Sequence, residues 1–162
     1  IQMLFVLSLL GLLTHLSIPA YISMSEGLQR HHAAQDLASA LRSARSEALL
    51  RNSVVQLHAL EGNWSNGWRM VLEQEEPQLL HEWRRNGRTV IAGNSPAARQ
   101  VRFNGLGAPL RESDASLFGT LHICQRPEGL SHYQVVLSRT GRVSLRDELI
   151  EEKLCAASGS DQ

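Results

Sequence analysis

Residues 1–18 are apolar on every side of a helical wheel: Met3, Leu4, Phe5, Val6, Leu7, Leu9, Leu10, Leu12 and Leu13 are broken only by isolated small or polar residues such as Gln2, Ser8, Gly11 and Thr14. From Ala34 the apolar set narrows to a stripe of Ala34, Leu37, Leu41, Ala44 and Ala48, spaced three and four apart with polar residues between. No loop signal separates the two patterns. The spacing therefore predicts one helix over residues 2–52, about 75 Å long, with Pro19 and Gly27 as kinks or soft points. Beyond Asn52 a period of two takes over, predicting strands over 54–60, 68–73, 78–84, 90–92, 99–104, 119–124, 133–138 and 142–146. Turn residues at 62–67, 86–87, 104–107 and 140–141 separate them. A short helix is expected to close the chain over 147–154.

Three environments compete for the apolar start. A signal peptide needs basic residues before its apolar run and a small-x-small cleavage site after it, and Ile18, Pro19 and Ala20 make a poor one. A core helix is apolar on one side only. Eighteen helical residues cover roughly 27 Å, close to the hydrocarbon thickness of a bilayer, and they run directly into the amphipathic stripe. A membrane anchor fits best. The expected organisation is an anchor helix over 1–23, its amphipathic continuation over 24–52 and a β-rich domain over 53–162, an α+β fold with the helix packed on a small antiparallel sheet. Because the chain opens at Ile1 without an initiator methionine, an upstream portion is expected to have been removed by processing or left out of this sequence.

At 162 residues the chain suits one globular unit, and 16 basic against 16 acidic residues exclude a strongly charged nucleic-acid coat. Charge is uneven, however: within 81–110, Arg84, Arg85, Arg88, Arg99 and Arg102 face Glu82 alone, a cluster suited to phosphate or simply to solvating strands. The two cysteines, Cys124 and Cys155, are too far apart for a redox Cys-x-x-Cys; they suit either one structural bridge or two free buried thiols. None of the seven histidines has a partner histidine at i+4 or a neighbouring cysteine, so no metal site or cofactor is expected. Nucleophile elbows, phosphate-cradling glycine loops and dinucleotide fingerprints are missing, and no enzyme is expected. Trp64, Trp68 and Trp83 are expected in the core rather than on a stacking surface.

The apolar segment ends in Ile18, Pro19, Ala20 and Tyr21, and with the helix-then-sheet order this resembles bacterial type IV pilins and type II secretion pseudopilins. Gly11 falls where that family often has glycine. Gln2 stands where it usually has glutamate, so the usual charged docking to a neighbour's terminal amine would become a hydrogen bond. Counting back from the Ile-Pro-Ala-Tyr segment, three mature residues would precede Ile1. Within the family the chain is most similar to the GspH and FimT/FimU minor subunits. The resemblance rests on the helix end Ala44, Arg45, Ser46, Glu47 and Ala48 with Arg51 and Asn52, on Val101, Arg102, Phe103 and Asn104 before Gly105 and Gly107, and on the hairpin Val135, Val136, Leu137, Ser138, Thr140, Gly141, Arg142 and Val143.

That resemblance implies a structural subunit of a type IV pilus or type II secretion pseudopilus, at the filament tip or initiating complex. It would be single-pass in the inner membrane, with its head in the periplasm. Its partners would be other pilins, packing around Gln2, Phe5, Gly11 and Pro19. DNA-capturing members of the FimT group carry Gly-Arg-x-Arg at the last hairpin, which implies an alternative partner, DNA. Here Gly141, Arg142 and Val143 match, Ser144 replaces the second arginine, and Arg139 and Arg146 are the nearest substitutes, with Asp147 and Glu148 following.

Overall fold

The computed structural model describes residues 2–110 and 118–156; the side chains of Phe5, residues 12–20 and Pro96 lie outside that description. One helix, α1 (Gln2–Arg51), runs unbroken through both Pro19 and Gly27. Neither residue interrupts the helix. Pro19 removes one backbone donor and Gly27 adds backbone freedom, but the turns on either side remain continuous.

Two antiparallel sheets follow. The first is built from β1 (Val55–Ala59), β2 (Gly67–Leu72), β3 (Gln78–Arg84), β5 (Gln100–Phe103) and β6 (Pro109–Leu110), in the order β3-β2-β1-β5-β6. The second holds β4 (Val90–Gly93), β7 (Gly119–Cys124), β8 (Ser131–Leu137) and β9 (Val143–Arg146), in the order β4-β7-β8-β9. The carboxy-terminal half of α1 packs on both. Its stripe is broader than the sequence period suggests, with Ala33, Ala34, Leu37, Ala38, Ala40, Leu41, Ala44 and Ala48 all buried. Alanine at most of these positions lets two sheets approach one helix closely, and Leu37 and Leu41 fill the space between them.

Strand alternation then supplies one shared core. Val55, Leu57, Val101 and Phe103 face inward from the first sheet, and Leu121, Ile123, Val135 and Leu137 from the second. Trp64 and Trp68 are buried in it, and Trp64 Nε1 donates to the Ala97 and Ala98 carbonyls at 3.1 and 3.0 Å. Trp83 is partly buried against the same core. The tryptophans are packing residues.

The second sheet is covered on its other face by the chain's tail. There Cys124 and Cys155, 31 residues apart, are joined in a disulfide that sits with Ala92 in a small satellite core. Ser131 pairs with Ile150 in an isolated antiparallel bridge, and Gln134 Nε2 donates to Ser131 Oγ and the Glu148 carbonyl at 2.9 and 2.8 Å. The helix expected over 147–154 does not form. The backbone N–H and C=O of Ile150 pair with Ser131 of β8 instead, and tertiary pairing overrides local propensity.

Candidate functional site

The first feature that calls for a partner is the free end of α1. Met3, Leu4, Val6, Leu7, Leu9 and Leu10 are all more than half exposed, and Gln2 and Gly11 are exposed beside them. The described residues leave this face open to solvent. Phe5 and Pro19, the other two positions expected to pack in a filament core, have side chains outside the described set. Among the described residues no helix is long and apolar enough to cross a membrane; the side chains of residues 12–20, which complete the apolar run, lie outside that description.

The second feature is the junction where α1 ends on the head. Arg45 Nε donates to the Gly107 carbonyl at 3.0 Å and its Nη2 to the Thr140 carbonyl at 3.3 Å, while Arg42 Nη2 reaches the Val143 carbonyl at 3.4 Å. One guanidinium thereby ties the β5–β6 turn of the first sheet to the β8–β9 turn of the second. Both turns need glycine there. Gly107 and Gly141 have φ of +73° and +80°, and a Cβ on Gly141 would lie 2.1 Å from the Gly107 carbonyl oxygen and 2.9 Å from Arg45 Nε. The sequence showed these glycines and arginines as separate motifs; only the fold shows that they form one contact.

The third feature is the β8–β9 hairpin. Arg139 and Arg142 are exposed in the turn, and the Arg139 guanidinium lies over the exposed Phe118 ring at 5.0 Å. Arg146 is also exposed, but it ends β9, four residues and about 13 Å along the strand from Arg142. The fold thus brings Arg139 and Arg142 together and leaves Arg146 apart, beside Asp147 and Glu148. Among the described residues none of the three forms an ion pair.

The larger arginine cluster of the sequence is dispersed by the fold. Arg84 pairs with Glu82 at 2.7 Å, Arg85 with Asp36 at 3.3 Å and Arg102 with Glu73 at 2.8 Å. Against burial, which pushes it up, hydrogen bonds from Gln56 and Arg102 and the charge of Arg102 hold the Glu73 carboxyl below the usual range. These arginines are occupied on the protein itself. Burial lowers the pKa of His58, His122 and His132, with Arg69 adding to the effect at His58 and Arg30 at His132. Among the described residues no group of three or more histidine, cysteine, aspartate or glutamate side chains is placed to hold a metal ion.

The comparison with known families decides what this assembly is. The model of the family described as Type II transport protein GspH matches residues 33–141, two-thirds of the chain. The chain belongs to the GspH family. The matched span opens at Ala33, which α1 buries in the head, and closes at Gly141, so it covers the contact of Arg45 with both turns and every strand except β9. Two crystal forms of the type IV minor pilin FimU from Pseudomonas aeruginosa PAO1 share the fold. In the P65 form the TM-score is 0.61 at 21% identity over 76% of this chain and 98% of FimU. In the P21 form it is 0.59 at 20% identity over 80% and 98%. No curated protein sequence matches significantly. As a member of the GspH family, the chain is a structural subunit and not an enzyme.

Proposed function

We propose that this GspH-family chain is anchored in the inner membrane by residues 1–23, carries residues 53–162 into the periplasm on the rigid continuation 24–52, and is recruited to the tip or initiating complex of a filament. The observation that carries this is the continuity of α1: one half is clamped by the head while the other projects an apolar face that the described residues leave exposed. Burying a large apolar side chain contributes roughly 1.5–3 kcal/mol, so neighbouring subunits' helices or lipid are the natural cover. Gln2 then hydrogen-bonds within the bundle. The test is co-purification with the other pilins or pseudopilins of its cell. Leu7→Asp is expected to abolish it while the head melts as before, and retention of full co-assembly would refute the reading.

A second reading, DNA capture, draws support from Arg139 and Arg142, exposed together beside Phe118 and without an ion pair among the described residues. Their cations would contact phosphates, so binding would weaken as salt rises. Titration of duplex DNA at two salt concentrations tests it. If Arg139→Ala with Arg142→Ala binds as the unmodified chain does, the hairpin is not a DNA site; Arg146→Ala is expected to matter less.

A further inference from the structure

Where α1 leaves the head, a cleft of about 400 Å³ opens between the helix and the second sheet. Ile22, Glu26 and Arg30 line it from the helix, Arg88 and Thr89 from the segment leading into β4, and Gln125 from the end of β7. Arg30 lacks an internal answer. Its Nε and Nη1 are closed off from solvent and meet no hydrogen-bond acceptor among the described residues. A guanidinium cannot shed its proton to escape this, so Arg30 keeps its charge at the wall of the cleft, where an anion would offset it. Arg88 is exposed at the same cleft. The acid present, Glu26, is held by the Gln125 side-chain amide, and two arginines outnumber it.

Position narrows the occupant. Tyr21 and Ile22, both exposed, line the cleft within about one helical turn of the end of the apolar run at Ile18. Helical side chains lean toward the amino terminus, so the cleft faces the side from which the apolar run arrives. In an anchored subunit this is the headgroup level, where phosphates and the first carbons of acyl chains lie together. We propose that the cleft binds the phosphate of an anionic phospholipid headgroup through Arg30 and Arg88, with Ile22 against the glycerol and upper acyl carbons. The proposal rests on the membrane-anchor reading above. It would hold the head low on the bilayer until the subunit is drawn into a filament.

Native mass spectrometry of the full chain in detergent micelles tests it, using phosphatidylglycerol, diacylglycerol with the same acyl chains, and inorganic phosphate as probes. One phosphatidylglycerol should be retained where diacylglycerol is not. Arg30→Gln and Arg88→Gln should each weaken retention about tenfold, and Glu26→Gln should strengthen it. Arg88 is exposed, so Arg88→Gln keeps the test valid should Arg30→Gln misfold. Equal retention of diacylglycerol, unchanged retention in Arg88→Gln, or binding of inorganic phosphate with no gain from acyl chains overturns the proposal. Alkaline carbonate extraction of membranes separates the two readings: a chain that stays embedded yet fails these tests loses only the lipid site, whereas a released chain loses the anchor and the site together.

Discussion

At Gly141 two demands meet, a positive φ and a carbonyl from the other sheet where a Cβ would stand. Gly141→Ala is therefore expected to cost about 2 kcal/mol or more, read as a lower urea midpoint with an unchanged slope. His122 poses a different demand. It is buried with its Nδ1 3.2 Å from Ser131 Oγ, and burial holds its pKa below the ordinary value of about 6.5. The unfolded chain then binds more protons than the folded one as pH falls through that value. Stability is fully present above it and is lost on acidification. His58 and His132 shift in the same direction. The melting temperature should fall between pH 7.5 and 5.5, and His122→Gln should flatten part of that slope; a flat profile in the unmodified chain would contradict the assignment.

Elements with a long period were legible in the sequence and those made by pairing were not. The helix predicted over 2–52 is α1 to within one residue, because the apolar run passes into the amphipathic stripe with no loop signal between them. All eight expected strands form. The two-residue β6 had no period to reveal it, and it exists because Pro109 and Leu110 lie against Phe103 and Arg102. The tail failed as a helix for the same reason: Ile150 is paired to Ser131 and Cys155 is tied to Cys124. Of the functional features, the apolar rod was plain from composition, whereas the Arg45 junction and the Arg30 cleft join each arginine to residues far along the chain, such as Gly107 and Arg88, and leave no local trace. The disulfide closes a loop of 31 residues, so reduction should lower stability by about 2–4 kcal/mol in urea titrations, an effect absent from Cys155→Ser.

For the whole molecule, the division of α1 into a projecting half and a clamped half has a measurable consequence. Among the described residues burial in the head begins at Ala33, and Glu26 accepts a hydrogen bond from the Gln125 side chain of the head. A chain starting at residue 24 should keep its core and melt within about 2 °C of the full chain, as monitored by circular dichroism in detergent. A larger drop would mean that the projecting half stabilises the head. The Arg45 junction bears on how such a subunit meets force. Tension along the rod arrives where one side chain grips a turn from each sheet, so neither sheet can be peeled away before the other. A pull that would unzip a singly attached domain strand by strand is here shared across the whole head.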